Sequence, residues 1–246
     1  MNLDLMVLGP HPDDAELCAG GWLALCAQRG QRACIVDMTR GEAASRGTVE
    51  VRALEAASAA EVLGLSFREN LGLPDTGLNP ADEGQVHAVV RAFRKHRPAI
   101  VVAPWTEARH PDHAAAGQLA HRAHFLAGLK QYAPELGTPF RPGRLLHAAH
   151  RQDVRPDFVV DITSVVEDKR RAVACHVSQV GDGVSSDRLI GQALGVGAFE
   201  VRDRYWGATI GVEFGEPYVN GGPVPVSDPV EHFAAHPQTP VLRPPR

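Results

Sequence analysis

The chain has no apolar run approaching the ~20 residues that a membrane-spanning helix needs. Its first residues carry no basic stretch ahead of an apolar one either, because Asp4 interrupts them. Both absences set the expectation of a soluble, cytoplasmic protein with no membrane partner. Cysteine is scarce: Cys18, Cys26, Cys34 and Cys175 stand at no metal-finger or disulfide-framework spacing. Cys18 and Cys26 fall on an apolar helical stripe and Cys34 in a strand pattern, so they read as buried, reduced thiols. Charge of neither sign dominates. The formal net charge is −4, which argues against a nucleic-acid or anionic-membrane surface. Arg91, Arg94, Lys95 and Arg97 share one helix face and read as solvated. Gly-x-Gly-x-x-Gly is missing as well. Gly9-Pro10-His11 is no phosphate cradle, and helix packing accounts for the pair Gly20-Gly21. There is no internal repeat.

What is present is length and alternation. The 246 residues, 44% of them hydrophobic, suffice for one substantial core. Leu3–Leu8, Ala33–Met38, Ile100–Ala103 and Phe158–Ile162 read as strands. Between them lie helical patterns: Ala15 to Gln28, then Val49 to Leu63 with Gly64 as its stop, then the stripe Val86, Val89, Val90 and Phe93 closed by Pro98. Ser164 and Glu167 have the spacing of a capping box before a helix reaching about His176. Strands returned by helices imply a mostly parallel sheet covered on both faces, with ligands beyond the carboxyl ends of the strands. Val180 to Gly197 is Gly- and Ser-rich and reads as a loop. From Gly221 the chain is proline-rich and aperiodic. The expectation is one domain over 1–220 and an extended tail or subunit arm over 221–246.

Two motifs carry chemistry. His11-Pro12-Asp13-Asp14-Ala15-Glu16 follows the first strand; His110-Pro111-Asp112-His113 follows Ile100–Ala103 and precedes an Ala-rich helix. Two imidazoles and a carboxylate make a good zinc set with a fourth position left to water, so His11, Asp14 and His113 are assigned as ligands of one Zn2+. Asp13, beside a ligand but not itself one, suits a general base. His110, held protonated with Asp112 orienting it, suits either a proton donor or an oxyanion partner. A lone histidine among the twelve in this chain is ordinarily structural. His121 and His124 have metal spacing but no accompanying carboxylate, and join the background with His176 and the rest. What distinguishes the two motifs is that both occur together, each after a strand.

On these residues the sequence resembles the LmbE-like, or PIG-L-like, zinc N-acetylglucosaminide deacetylases, from the first strand to about Pro217. Thr39-Arg40-Gly41-Glu42, Gly47 to Arg52, Leu73-Pro74-Asp75, Lys130 to Leu136 and Ser178-Gln179 resemble the bacillithiol branch. The resemblance implies a Rossmann-like α/β fold and hydrolysis of an N-acetyl group on a glucosamine conjugate. For that branch the conjugate is N-acetylglucosaminyl-malate, giving glucosaminyl-malate and acetate. Malate carboxylates suit Arg52 and Arg109, since guanidinium binds them bidentately. The competing role for Arg52 is a surface pair with Glu50 or Glu55. Asp75 would accept sugar hydroxyls or merely form a turn, and Arg141 loosely matches a family arginine near the acetyl group. Where the branch places an oxyanion tyrosine, this chain has Gly195; Tyr205 is near but does not align. The family also implies a homo-oligomer. Alternatives stay open: a mycothiol-type or other sugar or thiol conjugate, a non-haem iron oxygenase built on His11, Asp13 and His113, or a silent sugar-binding protein.

Overall fold

The first strand, β1 (Leu3–Gly9), sends its side chains alternately into two cores: Leu5 and Val7 into one, Met6 and Leu8 into the other. In β2 (Ala33–Thr39), Ile35 enters the first, and Cys34, Val36 and Met38 the second. Strands buried on both faces belong in the middle of a parallel sheet. The computed structural model, which describes residues 3–149, 154–180 and 196–237, places them there. With β3 (Phe67–Leu73), β4 (Pro98–Pro104), β5 (Arg144–Ala148), β6 (Phe158–Asp161) and β7 (Gly215–Val219) they form one sheet, ordered β3-β2-β1-β4-β5-β7-β6. β1 to β5 pair in parallel, and β7 runs antiparallel between β5 and β6.

Helices α1 (Asp14–Gln28), α2 (Val49–Val62) and α5 (Val166–Ala174) contribute to the first core, and α3 (Glu83–His96) and α4 (Pro111–Ala127) cover the other face. The fold is thus α/β and Rossmann-like, with a mostly parallel sheet. α6 (Val177–Val180), α7 (Val196–Ile210) and α8 (Pro229–Ala235) follow. Gly21 shows how closely the layers pack: a Cβ there would lie 2.5 Å from Ile162 Cγ2. No helix among the described residues is long and apolar enough to cross a membrane. Strand order reverses between β1 and β4, and the crevice at their carboxyl ends is where such sheets bind ligands.

The structure departs from the sequence reading where polar residues have hidden partners. β3 escapes a hydrophobic pattern because Arg68 points inward, its Nε and Nη2 gripping Asp37 at 2.7 and 2.9 Å. β5 is short, and β7 contains Pro217. Arg94 is not on a solvated face. It is buried and donates to the carbonyls of Ala127, Leu129, Tyr132 and Ala133, gathering the turn after α4 around itself. The Ser164–Glu167 capping box does not form; Thr163–Val165 makes a 3₁₀ turn and α5 begins without a side-chain cap. The aperiodic tail contains α8, capped by the Asp228 carboxylate accepting from Val230 N and Glu231 N, with no buried residue. Of the Gly- and Ser-rich stretch Val180 to Gly197, residues 181–195 lie outside those described, Gly195 included.

Candidate active site

His11-Pro12-Asp13-Asp14 leaves β1 and enters α1 at once. Its lead-in is pinned at the Pro10 carbonyl, which accepts from Thr39 N at 3.1 Å and Thr39 Oγ1 at 2.9 Å. So abrupt a turn puts Asp13, the residue before α1, at φ 131° and ψ −31°. A non-glycine residue there costs on the order of 1–3 kcal/mol and persists only when its surroundings hold it. Arg52 of α2 helps hold it. Its buried guanidinium donates to Pro12 O at 2.8 Å and Gly41 O at 3.2 Å, and reaches Asp13 Oδ1 at 3.5 Å. Gly41, at φ 68°, makes room: a Cβ there would lie 2.0 Å from Arg52 Nη1.

The second motif arrives from the end of β4. His113, in the first turn of α4, brings Nε2 to 3.2 Å from Asp14 Oδ2, while His11 Nδ1 lies 3.1 Å from the same oxygen. His11 Nε2 faces away, 3.0 Å from Asp75 Oδ1 and 3.3 Å from Asp112 Oδ2. Two carboxylates at Nε2 favour the proton there and leave Nδ1 to ligate. His11, Asp14 and His113 therefore converge as a set able to hold a metal ion. Two nitrogens and one oxygen match a site that keeps a position open for water or substrate. The carboxylate between the imidazoles is that of Asp14; Asp13 turns to Arg52.

Charge in this cluster is tightly balanced. Burial alone would lower the His11 pKa, but the hydrogen bond its ring donates to Asp14 and the charges of Asp14, Asp75 and Asp13 raise it to about 9. Burial likewise opposes the His113 charge, and Asp14 overcomes it, so that pKa also rises. Asp13 is pushed up to about 7 by burial and by the charge of Asp14, against Arg52 and His176. A metal ion must displace the His11 proton. Below about pH 9 that proton competes, so metal affinity should rise with pH, by about tenfold per unit for one proton. Calorimetry between pH 6 and 8 in buffers of different ionisation heat would measure this. A pH-independent affinity with no proton release would show that His11 binds no metal.

Asp112 does not orient His110. Its buried carboxylate accepts from Thr76 N at 2.7 Å and Leu78 N at 3.3 Å as it contacts His11. His110 caps α4, its Nδ1 accepting from Asp112 N at 3.2 Å. That bond places the remaining ring proton on Nε2, and a cation at a helix N-terminus is disfavoured. Burial, then His113 and His11, lower its pKa, so His110 is a neutral donor at rest rather than a held imidazolium. Replacing Asp112 by Asn should weaken metal binding about 10–100-fold, the usual cost of losing a partner behind a ligand. Competition with a chromogenic chelator measures it; unchanged affinity would remove Asp112 from the metal's support.

The other expected residues divide. Asp75 is in the cluster, its second oxygen accepting from Ala43 N at 2.9 Å. Arg109 is exposed on the loop before His110. Arg52 is neither on the surface nor paired with Glu50 or Glu55. Arg141 is not brought to the cluster: it precedes β5, whose first residue pairs with Ile100 at the opposite end of the parallel strands, and its Nη2 donates to Phe125 O. Tyr205 lies in α7, edge-on to Trp206. The sequence reading missed a buried network behind the turn. Glu16 is bonded by Arg68 and, at 3.0 Å, by His176 Nε2. The one signal for it was an acid on the otherwise apolar stripe of α1, which demands a partner.

Comparison with known proteins agrees with this geometry. The family model described as PIG-L, GlcNAc-PI de-N-acetylase, matches residues 6–124, which span both motifs. A diacetylchitobiose deacetylase of Thermococcus kodakarensis is 31% identical over 194 residues, covering 73% of this chain and 71% of that protein. The chain belongs to the PIG-L/LmbE family. A 4-oxalmesaconate hydratase of Pseudomonas putida is 30% identical over 71% of this chain and 73% of its own length. A probable N-acetyl-α-D-glucosaminyl L-malate deacetylase of Bacillus anthracis is 25% identical over 74% and 83%. Among solved structures, a conserved protein of Thermus thermophilus superposes with a TM-score of 0.83 at 41% identity, covering 92% of this chain and 98% of that one. Membership and the crevice thus coincide: the matched segment supplies every residue of the His–Asp cluster.

Proposed function

We propose that this PIG-L/LmbE protein is a zinc-dependent N-deacetylase that hydrolyses the acetamide of an N-acetylglucosamine conjugate. N-acetylglucosaminyl-malate is the substrate we infer, giving glucosaminyl-malate and acetate as in bacillithiol biosynthesis. The observation that carries the reading is the placement of Asp13: a half-buried acid, held in a strained conformation beside a His–Asp–His cluster that it does not join.

Bound by His11, Asp14 and His113, zinc would acidify water and polarise the acyl carbonyl. The chain's own residues do the rest. Asp13 accepts the proton of the attacking water and, with an affinity raised toward neutrality, can return it to the departing amine. His110 Nε2–H, fixed by the bond to Nδ1, donates to the oxygen that gains charge, in the manner of a neutral electrophilic imidazole. Arg52 holds the turn that aims Asp13. It has three contacts within the protein, so recognition of a carboxylate rests first on exposed Arg109.

The test compares kcat/KM for N-acetylglucosaminyl-malate, N-acetylglucosamine and diacetylchitobiose, in native protein and Arg109→Ala. A charged hydrogen bond is worth ~1.5–3 kcal/mol, so the variant should lose about tenfold or more for the malate compound alone. Equal losses would reject malate recognition by Arg109, and preference for diacetylchitobiose would reassign the substrate. Hydration of an unsaturated acid without acetate release would favour the chemistry of the hydratase relative. We expect one zinc per chain and a homo-oligomer in which the segment from Gly221 is a subunit arm; a monomeric mass by light scattering would reject the oligomer.

A further inference from the structure

We infer that His176 is a positioning residue for hydrolysis: from the turn after α5 it holds, through Glu16, the first turn of α1 that aims Asp13. This rests on the deacetylase reading above. Glu16 stands three residues after Asp13, and both it and His176 are fully buried. A single Glu16 oxygen accepts from Arg68 and, at 3.0 Å, from His176 Nε2. Arg68 grips Asp37 of β2 as well, so the carboxylate is fixed to the sheet. His176, whose backbone N donates to Val173 O at the end of α5, ties the same oxygen to that helix. Burial opposes a charge on the ring, whereas Glu16 and then Asp13 favour it, so the ring lies in the field of the base.

The same turn reaches the other support of Asp13. Ser178 N and Oγ donate to the two carboxylate oxygens of Glu55 in α2, each at 2.7 Å, and Gln179 Nε2 donates to Arg46 O at 3.0 Å. α2 carries Arg52, which donates to Pro12 O and reaches Asp13. Gly47, at φ 71°, lies between the two: a Cβ there would stand 2.7 Å from Ser178 Oγ and 3.2 Å from Arg52 Cγ. Residues 176–179 therefore fasten Glu16 on one side of the strained turn and α2 on the other. A conformation such as that of Asp13 persists only where its neighbours over-determine it. The brace also carries a cost. His176 Nδ1 and Glu16 Oε2 are buried without a hydrogen-bond partner, and such a group costs ~1–3 kcal/mol. The metal ligand on this turn has anchors of its own: Asp14 Oδ2 accepts from His11 N at 3.1 Å and faces both imidazoles. Loss of His176 should disturb Asp13 more than zinc.

The experiment measures kcat, KM and zinc affinity of the zinc-loaded full chain, from acetate release by one N-acetylglucosamine conjugate. Misplacing a reacting group by ~1 Å costs about 10²-fold, so His176→Ala should lower kcat by about that factor, with KM and zinc affinity close to native. His176→Gln puts an amide donor near the position of Nε2 and should recover most of the loss. The alanine change made in Asp13→Asn should cost less than about twofold, because no base is left to aim. Equal losses in the two backgrounds, a loss confined to zinc affinity, no recovery in His176→Gln, or a native-like kcat in His176→Ala each overturn the assignment and leave the deacetylase intact. His176→Asn, too short to bring a donor to Glu16, replaces alanine if that variant does not fold. Failure of both to fold overturns the assignment as well, since the ring is then structural. No acetate from native protein overturns the deacetylase reading itself.

Discussion

Asp13→Asn should lower kcat by about 10²–10⁴, the range supplied by a general base, while zinc affinity stays close to native. The prediction is sharp because the structure separates the two adjacent acids. Asp14 Oδ2 lies against both imidazoles, whereas Asp13 Oδ1 faces Arg52. Asparagine keeps the shape and the contact with Arg52 but cannot take a proton. Stability should move the other way. Asp13 is a charged residue at φ 131° beside a second carboxylate, and both features disfavour the fold. Asp13→Gly relieves the backbone strain, worth ~1–3 kcal/mol, and should raise the melting temperature of the metal-free protein by about 2–4 °C for each kcal/mol recovered. A native-like kcat in Asp13→Asn would mean that another residue is the base. A lower melting temperature in Asp13→Gly would mean that the turn is unstrained.

His113→Ala should abolish hydrolysis through the metal rather than through the fold. The imidazole is one of three donors, and it also keeps the Asp14 carboxyl well below its usual pKa against the opposing effect of burial. Without it Asp14 holds its proton more firmly, so the site loses a ligand and weakens another. Zinc affinity should fall by more than the ~10–100-fold that removal of an outer partner costs. Thermal stability supplies an independent readout. Zinc at one hundred times its Kd stabilises a folded protein by ~2.7 kcal/mol. That gain should be present in native protein and absent from the variant at the same zinc concentration. A full zinc-dependent rise in melting temperature in His113→Ala would place the ion elsewhere.

The sequence made the site's centre legible because its residues lie in two short, contiguous motifs, each at the end of an apolar strand. Periodicity placed β1, β2, β4 and β6 and hence the crevice where the strand order reverses. What it hid were interactions between distant polar residues. Arg68 sits in a strand too polar to recognise, and its partners Asp37 and Glu16 lie on other elements. His176 was one histidine among twelve. Arg94, read from spacing as a surface charge, and Arg52, given a ligand contact only by the resemblance, are buried donors to main-chain carbonyls. Asp112 was matched to its neighbour in sequence, whereas the fold gives it His11 and the turn around Thr76. Helical and strand periods report which face is apolar, and they carry no information on which remote carbonyl an arginine will find.

The ion itself is the most direct test. Crystals grown with one equivalent of zinc, measured at the zinc absorption edge, should show a single anomalous peak ~2.0–2.2 Å from His11 Nδ1, Asp14 Oδ2 and His113 Nε2. A peak bound through other residues, or none at full zinc occupancy in solution, would contradict a metal centre closed by the two motifs.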